Sequence, residues 1–165
     1  MSVAVGVRLA PLVAEHRAPL EAIVRATNVF SEDEVAVALE LFDDATAGGA
    51  DYEFIGAFED DQLIGYACFG ETPSTDKTYD LYWIAVHPAA QRSGAGGALM
   101  SEVEHRLENR RARLLIVETS SRPDYTSTRR FYEKRGYETA AQLRDYYHTG
   151  DDRVVLTKHL TAALS

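Results

Sequence analysis

Apolar residues along the chain repeat with two periods, and the switches between them divide it into elements. Val3 to Leu9 alternates weakly and predicts a first strand, ended by Pro11. Leu20, Ile23 and Val24 fall at helical spacing behind Pro19, so Pro19 to Asn28 reads as a short helix with proline in its first turn. Ser31 followed by Glu34 is a capping-box pair, and Val35, Leu39 and Phe42 continue a second helix until Gly48-Gly49 stops it. Tyr52 to Phe58 and Leu63 to Phe69 are strand-like runs joined by the polar link Glu59-Asp60-Asp61-Gln62, which predicts a hairpin. Tyr79 to Val86 is rich in aromatic and β-branched residues, reads as a strand, and ends at His87-Pro88. A third helix starts at Ala95: Leu99, Val103 and Leu107 recur every four residues before the basic pair Arg110-Arg111, which suits the negative end of its dipole.

Within Arg113 to Thr119 the run Leu114-Leu115-Ile116-Val117 predicts a central strand covered on both faces. Asp124 to Arg135 reads as a helix stopped at Gly136. Tyr137 onward and Val154 to Leu160 give two last strands joined across Thr149-Gly150-Asp151-Asp152. The order is strand, two helices, three strands, helix, strand, helix, two strands. Hairpins together with one strand-helix-strand crossover imply an α/β chain of the α+β type: a mixed, mostly antiparallel sheet of six to seven strands flanked by about four helices. With no repeat, linker or low-complexity segment, residues 1–165 are expected to form a single domain.

Composition narrows the function. No apolar run approaches the roughly 20 residues of a membrane span. Residues 1–10 lack the basic start and sustained apolar region of a secretory signal, so a soluble, cytoplasmic protein is expected. The single cysteine, Cys68, excludes an intrachain disulfide and a cysteine-cluster metal site, and its apolar neighbours suggest packing rather than nucleophilic chemistry. A net charge of −9 argues against a general nucleic-acid binder. The charge is unevenly spread: residues 1–91 hold 16 acidic and 4 basic residues, a balance of −12, whereas residues 92–165 hold 10 and 13, a balance of +3. The later half therefore tolerates an anionic ligand, and the earlier half could favour a cationic one.

The basic excess begins where Gln91-Arg92-Ser93-Gly94-Ala95-Gly96-Gly97 joins a strand end and proline turn to a helix start. Glycines let backbone approach a ligand closely, and the first N–H groups of a helix face outward without internal partners, so a pyrophosphate fits this segment. A P-loop would need lysine and a hydroxyl residue after its last glycine, but Ala98-Leu99 follows Gly97. A dinucleotide fingerprint started at Gly94 would place Leu99 at its third small position. Both nucleotide readings fail on these residues.

The segment resembles the GNAT superfamily of N-acetyltransferases. The family pattern of glutamine or arginine, two residues, glycine, one residue, and glycine or alanine is matched by Gln91, Gly94 and Gly96 after Ile84-Ala85-Val86. Phe131-Tyr132-Glu133-Lys134-Arg135-Gly136-Tyr137 is similar to the family's later helix-to-strand motif. The resemblance implies splayed central strands, with acetyl-CoA as acyl donor and no metal. The pantetheine arm would lie on the backbone of Ile84, Ala85 and Val86, and the pyrophosphate on Gln91, Arg92, Ser93, Gly94, Ala95, Gly96 and Gly97. It further implies direct attack by an amine in a ternary complex.

By the same resemblance Tyr132 faces the cofactor sulfur as general acid, and Asp80, six residues before Val86, stands where histone-acetylating members keep a glutamate base. Glu118 is a second candidate base. Tyr125 occupies the place where many relatives carry an asparagine on the cofactor arm, and Ser120, Ser121 or Thr126 are candidate substitutes. Arg129, Arg130, Lys134 and Arg135 are candidates for cofactor phosphates. The amine acceptor, cationic if the acidic half contributes, is expected at the early helices and last hairpin. There Tyr146-Tyr147-His148 with Asp151-Asp152 is similar to relatives that acetylate amino groups of peptides or small molecules. A monomer or homodimer without nucleic-acid or membrane partners is expected, the alternative function being a non-catalytic acyl-CoA sensor.

Overall fold

In the computed structural model of the chain, which describes residues 6–160, a seven-stranded sheet has the order β1-β2-β3-β4-β5-β7-β6. The strands are β1 (Val7–Pro11), β2 (Glu53–Glu59), β3 (Gln62–Glu71), β4 (Thr78–Val86), β5 (Leu114–Ser120), β6 (Glu138–His148) and β7 (Asp151–His159). Four α-helices accompany them: α1 (Arg17–Ala26), α2 (Glu32–Thr46), α3 (Ala95–Asn109) and α4 (Thr126–Lys134). The mixed, mostly antiparallel architecture is the one expected. Residues group into two compact units: one runs to Gly70 and resumes over Tyr82–Arg106, and the other comprises Glu71–Leu81 and the chain from Leu107 onward.

The first unit obeys local rules. Ser31 Oγ accepts the Glu34 N–H at 3.2 Å while the Glu34 carboxylate accepts the Ser31 N–H at 2.9 Å, so the capping box starts α2. Pro19 is the third residue of α1, which begins two residues earlier than expected. Asp60 and Asp61, with φ of 49° and 68°, form the tight turn between β2 and β3, whose left-handed pair of residues matches strand twist. Pro11 closes β1 at the sheet edge, where a missing N–H is tolerated, and residues 3–5 of the expected first strand lie outside the described residues. Leu20, Ile23 and Val24 of α1 and Val35, Ala38 and Phe42 of α2 share a core with Phe54, Phe58, Tyr66, Cys68 and Ala85. Cys68 is wholly buried within it, as its neighbours suggested.

In the second unit β4 pairs with β5 in parallel over Thr78–Leu81 against Leu114–Val117. β5 runs antiparallel to β7, from Leu114 opposite His159 to Ser120 opposite Arg153. Leu115, Val117, Leu156 and Tyr79 are buried on one face. Leu114 and Ile116 are only half-buried, so β5 is not covered on both faces, whereas β2, with five consecutive buried residues, and β3, with eight, are. The last turn is also shorter than expected: Asp151 and Asp152 belong to β7, and Thr149-Gly150 alone makes the reversal.

Burial pushes the Tyr66 and Tyr132 hydroxyls and the Cys68 thiol above their ordinary values. A group whose folded pKa is raised keeps its proton in the native state while the unfolded chain releases it, so stability falls once pH exceeds the unfolded value. The urea midpoint is therefore expected to be flat near pH 7 and to fall from about pH 8 to 11, first as the unfolded Cys and then as the unfolded Tyr residues ionise. Tyr66→Phe should flatten the upper part of that fall.

Candidate active site

The glycine-rich turn is assembled by short-range bonds. The β4 backbone leaves the sheet at His87, whose N–H donates to the Ile64 carbonyl at 2.8 Å. Gly65 permits the close approach there, since a Cβ on it would lie 3.0 Å from the Ala85 carbonyl oxygen. His87 Nδ1 accepts the Ala89 N–H at 3.1 Å and caps a single turn, Pro88–Ala90. Gln91 reaches back to the Val86 carbonyl at 3.5 Å. Gly94 has φ +86°, which glycine alone adopts without strain, and its carbonyl accepts the Ala98 N–H at 3.0 Å as the first helical bond of α3. Ser93 Oγ accepts the Ala95 N–H at 3.2 Å. Gly96 and Gly97 follow in the first turn, where N–H groups have no carbonyl four residues back inside the helix. Gln91, Arg92 and Gly94 are exposed, and Ser93, Gly96 and Gly97 are half-buried. The turn thus offers backbone donors and the positive end of a 15-residue helix to an anion, so the residues present fit a pyrophosphate. Ile84 and Val86, half-buried on either side of buried Ala85, lead into it.

The acid-base candidates belong to the second unit. Asp80 opposes Ile116 in the parallel ladder, and Glu118 lies two residues beyond Ile116, so the two carboxylates share a sheet face. Asp80 Oδ2 accepts a hydrogen bond from Thr72 Oγ1 at 2.6 Å. The Glu118 carboxylate is in direct contact with the Arg153 guanidinium. Tyr132, on α4, is 2% exposed, and its ring stands edge-on to Phe131 at 5.3 Å and Tyr137 at 5.5 Å. Burial alone raises its pKa, so the phenol keeps its proton at neutral pH.

The substitutes for the asparagine are already engaged. Ser120 Oγ bonds buried Asp151 and accepts the Arg122 N–H, Ser121 Oγ accepts the Asp152 N–H, and Thr126 Oγ1 accepts from Arg129. Arg129 also donates to the carbonyls of Ser120 at 2.6 Å and Arg122 at 3.1 Å, so it clamps the loop between β5 and α4. Sequence reasoning missed Arg153 and Thr72, and it placed Asp151 at the acceptor without foreseeing its bond to Ser120. Only the strand register brings Arg153 and Asp151 to the end of β5.

Residues 19–137 match the model of the acetyltransferase (GNAT) family. Among solved structures, a GNAT-family protein from Desulfovibrio desulfuricans is 42% identical over 93% of this chain and 99% of its own, with a TM-score of 0.90. The ribosomal-protein-S18-alanine N-acetyltransferase of Escherichia coli shares the fold at 21% identity and a TM-score of 0.77, covering 93% of this chain and 94% of its own. A PaiA N-acetyltransferase from Thermoplasma acidophilum in complex with coenzyme A does so at 17% identity and a TM-score of 0.71, covering 96% and 99%. No curated protein matches the sequence. A family model spanning well over half of the residues, the glycine turn at the start of α3 and the shared fold together establish that the chain belongs to the GNAT family of acetyltransferases.

Proposed function

We propose that the chain transfers an acetyl group from acetyl-CoA to a primary amine of a small molecule, peptide or protein, by direct attack in a ternary complex. The observation that carries this reading is the first turn of α3, where Gly96 and Gly97 present backbone N–H groups behind left-handed Gly94. The backbone from Arg92 to Gly97 holds the pyrophosphate, and the backbone of Ile84, Ala85 and Val86 holds the pantetheine arm. Acetyl-CoA supplies the activated acyl group. The amine must shed a proton before it attacks, and the departing thiolate must gain one. Asp80, through a water, takes the first. Tyr132, kept neutral by burial, gives the second. The location is proposed to be cytoplasmic; among the described residues no helix is long and apolar enough to cross a membrane.

The acidic first half favours a cationic acceptor. Purified protein is to be incubated with acetyl-CoA and a panel of spermidine, lysine, kanamycin and unblocked peptides beginning with Ala, Ser or Met, following free thiol. Thiol release fastest with the cationic members is expected. Rates indifferent to acceptor charge would remove the charge argument, and saturable acetyl-CoA binding without thiol release from any amine would identify a sensor.

A further inference from the structure

Helix α4 starts without a capping side chain. Its N-cap, Tyr125, makes no side-chain cap bond, and the single turn Pro123–Tyr125 before it begins at Arg122, which makes none either. The first turn of α4 carries no acidic residue to meet the helix dipole. At nine residues it is also shorter than the roughly 12–15 at which an isolated helix holds together in water. The placement of its start depends on contacts from outside the usual capping positions.

Arg129 makes those contacts. Helix side chains lean toward the N-terminus, and Arg129 Nη1 reaches back to donate to the carbonyl of Ser120, the last residue of β5, at 2.6 Å and to that of Arg122 at 3.1 Å. Its Nη2 donates to Thr126 Oγ1 at 3.2 Å. The Arg122 carbonyl also accepts the Tyr125 N–H at 2.9 Å, so one guanidinium joins the strand end, the turn and the first residue of α4. Among the described residues its partners are two carbonyls and a hydroxyl rather than a carboxylate. A cation in a first turn opposes the helix dipole, so helix stability does not account for it; the planar fork, which meets several acceptors at once, does. The other side of the loop is tied to β7, where the Ser121 N–H donates to the Asp152 carbonyl at 3.0 Å and the Asp152 N–H to Ser121 Oγ at 2.8 Å. Tyr132 follows Arg129 by three residues, on the same side of α4. Its carbonyl accepts the Tyr137 N–H at 3.1 Å, which fixes the far end of the helix.

We propose that Arg129 is a positioning residue that sets Tyr132 relative to the end of β5, and that it is not a ligand of the cofactor phosphates. This rests on the acetyl-transfer reading above, in which Tyr132 gives the departing thiolate its proton. Misplacing a catalytic group by about 1 Å can cost on the order of 100-fold in rate, so a clamp on the start of a short helix reaches the chemistry without touching it.

The test compares R129M, R129K, Y132F and the double variant R129M/Y132F, using the panel amine with the highest kcat/KM. R129M is expected to lower kcat about 10-fold while the acetyl-CoA dissociation constant moves less than about 2-fold. R129K should lose about 3-fold, because an ammonium keeps the charge but not the fork that meets both carbonyls. R129M/Y132F should be no slower than Y132F, since the clamp acts through the phenol. An acetyl-CoA dissociation constant raised about 10-fold with kcat kept would make Arg129 a phosphate ligand and overturn the proposal. An equal fall in kcat with and without the Tyr132 hydroxyl would overturn it too. Amide hydrogen exchange gives a readout independent of turnover: the Tyr125 N–H and the first turn of α4 should exchange about 10-fold faster in R129M, and unchanged exchange there would overturn the clamp. Should R129M not fold, R129K carries the same comparisons with smaller changes of the same sign. Absence of thiol release from the unaltered protein with any amine would overturn only the acetyl-transfer reading, because exchange still tests the clamp.

Discussion

Replacing Gly96 by leucine is expected to raise the dissociation constant for acetyl-CoA by about 100-fold or more, a loss of about 2.7 kcal/mol, without unfolding the chain. Gly96 lies in the regular first turn of α3. Leucine is a better helix former than glycine. The substitution therefore favours the local helix while placing a branched side chain over the N–H groups that face the pyrophosphate. Gly94 is a poorer choice for the same test: at φ +86° any side chain adds backbone strain, and weakened binding there would mix strain with blockade. Isothermal titration with acetyl-CoA and a urea-unfolding curve on the same sample separate the effects. Unchanged acetyl-CoA affinity in folded Gly96→Leu would remove the pyrophosphate from this turn.

Features fixed by neighbours in sequence could be read before the structure was known. The Ser31–Glu34 capping box needs only its own four residues, and the order of strand, proline and glycines at 84–97 is local in the same sense. What depended on strand register could not be read. Glu118 looks like an available carboxylate until β7 is set antiparallel to β5 and carries Arg153 beside it. Ser120 and Ser121 look like spare hydroxyls until the same register brings Asp151 and Asp152 to them. The coverage of β5 is not legible in its sequence, because an apolar run does not say which element shields each face. Leu114 and Ile116 stay partly open, whereas β3, interrupted by Gly65 and Gly70, is buried on both sides. Those glycines reflect close backbone approach: a Cβ at Gly70 would fall 2.2 Å from the Asp51 carbonyl oxygen.

Tyr132→Phe is expected to lower kcat about 100-fold, within the range for loss of a general acid, while leaving the acetyl-CoA dissociation constant within about 2-fold. The ring is the structural part of this residue. It packs edge-on against Phe131 and Tyr137 in the interior of its unit, and phenylalanine preserves those contacts, so the unfolding midpoint should move little. The hydroxyl is the chemical part. Because burial holds its pKa above the ordinary value of 10.0, Tyr132 remains a donor throughout the neutral and mildly alkaline range. The sign of the pH dependence follows: an acid must be protonated to act, so no descending limb below about pH 10 should arise from Tyr132, and any limb seen there belongs to another group. In Tyr132→Phe the remaining rate should be limited by expulsion of an unprotonated thiolate. Acyl donors with a more acidic thiol than CoA should then recover part of the lost rate in the variant and gain less in the unaltered protein. Equal kcat in Tyr132→Phe and the unaltered protein would remove this tyrosine from the acid role, and an equal response of both to leaving-group acidity would place the defect outside the departure of the thiol.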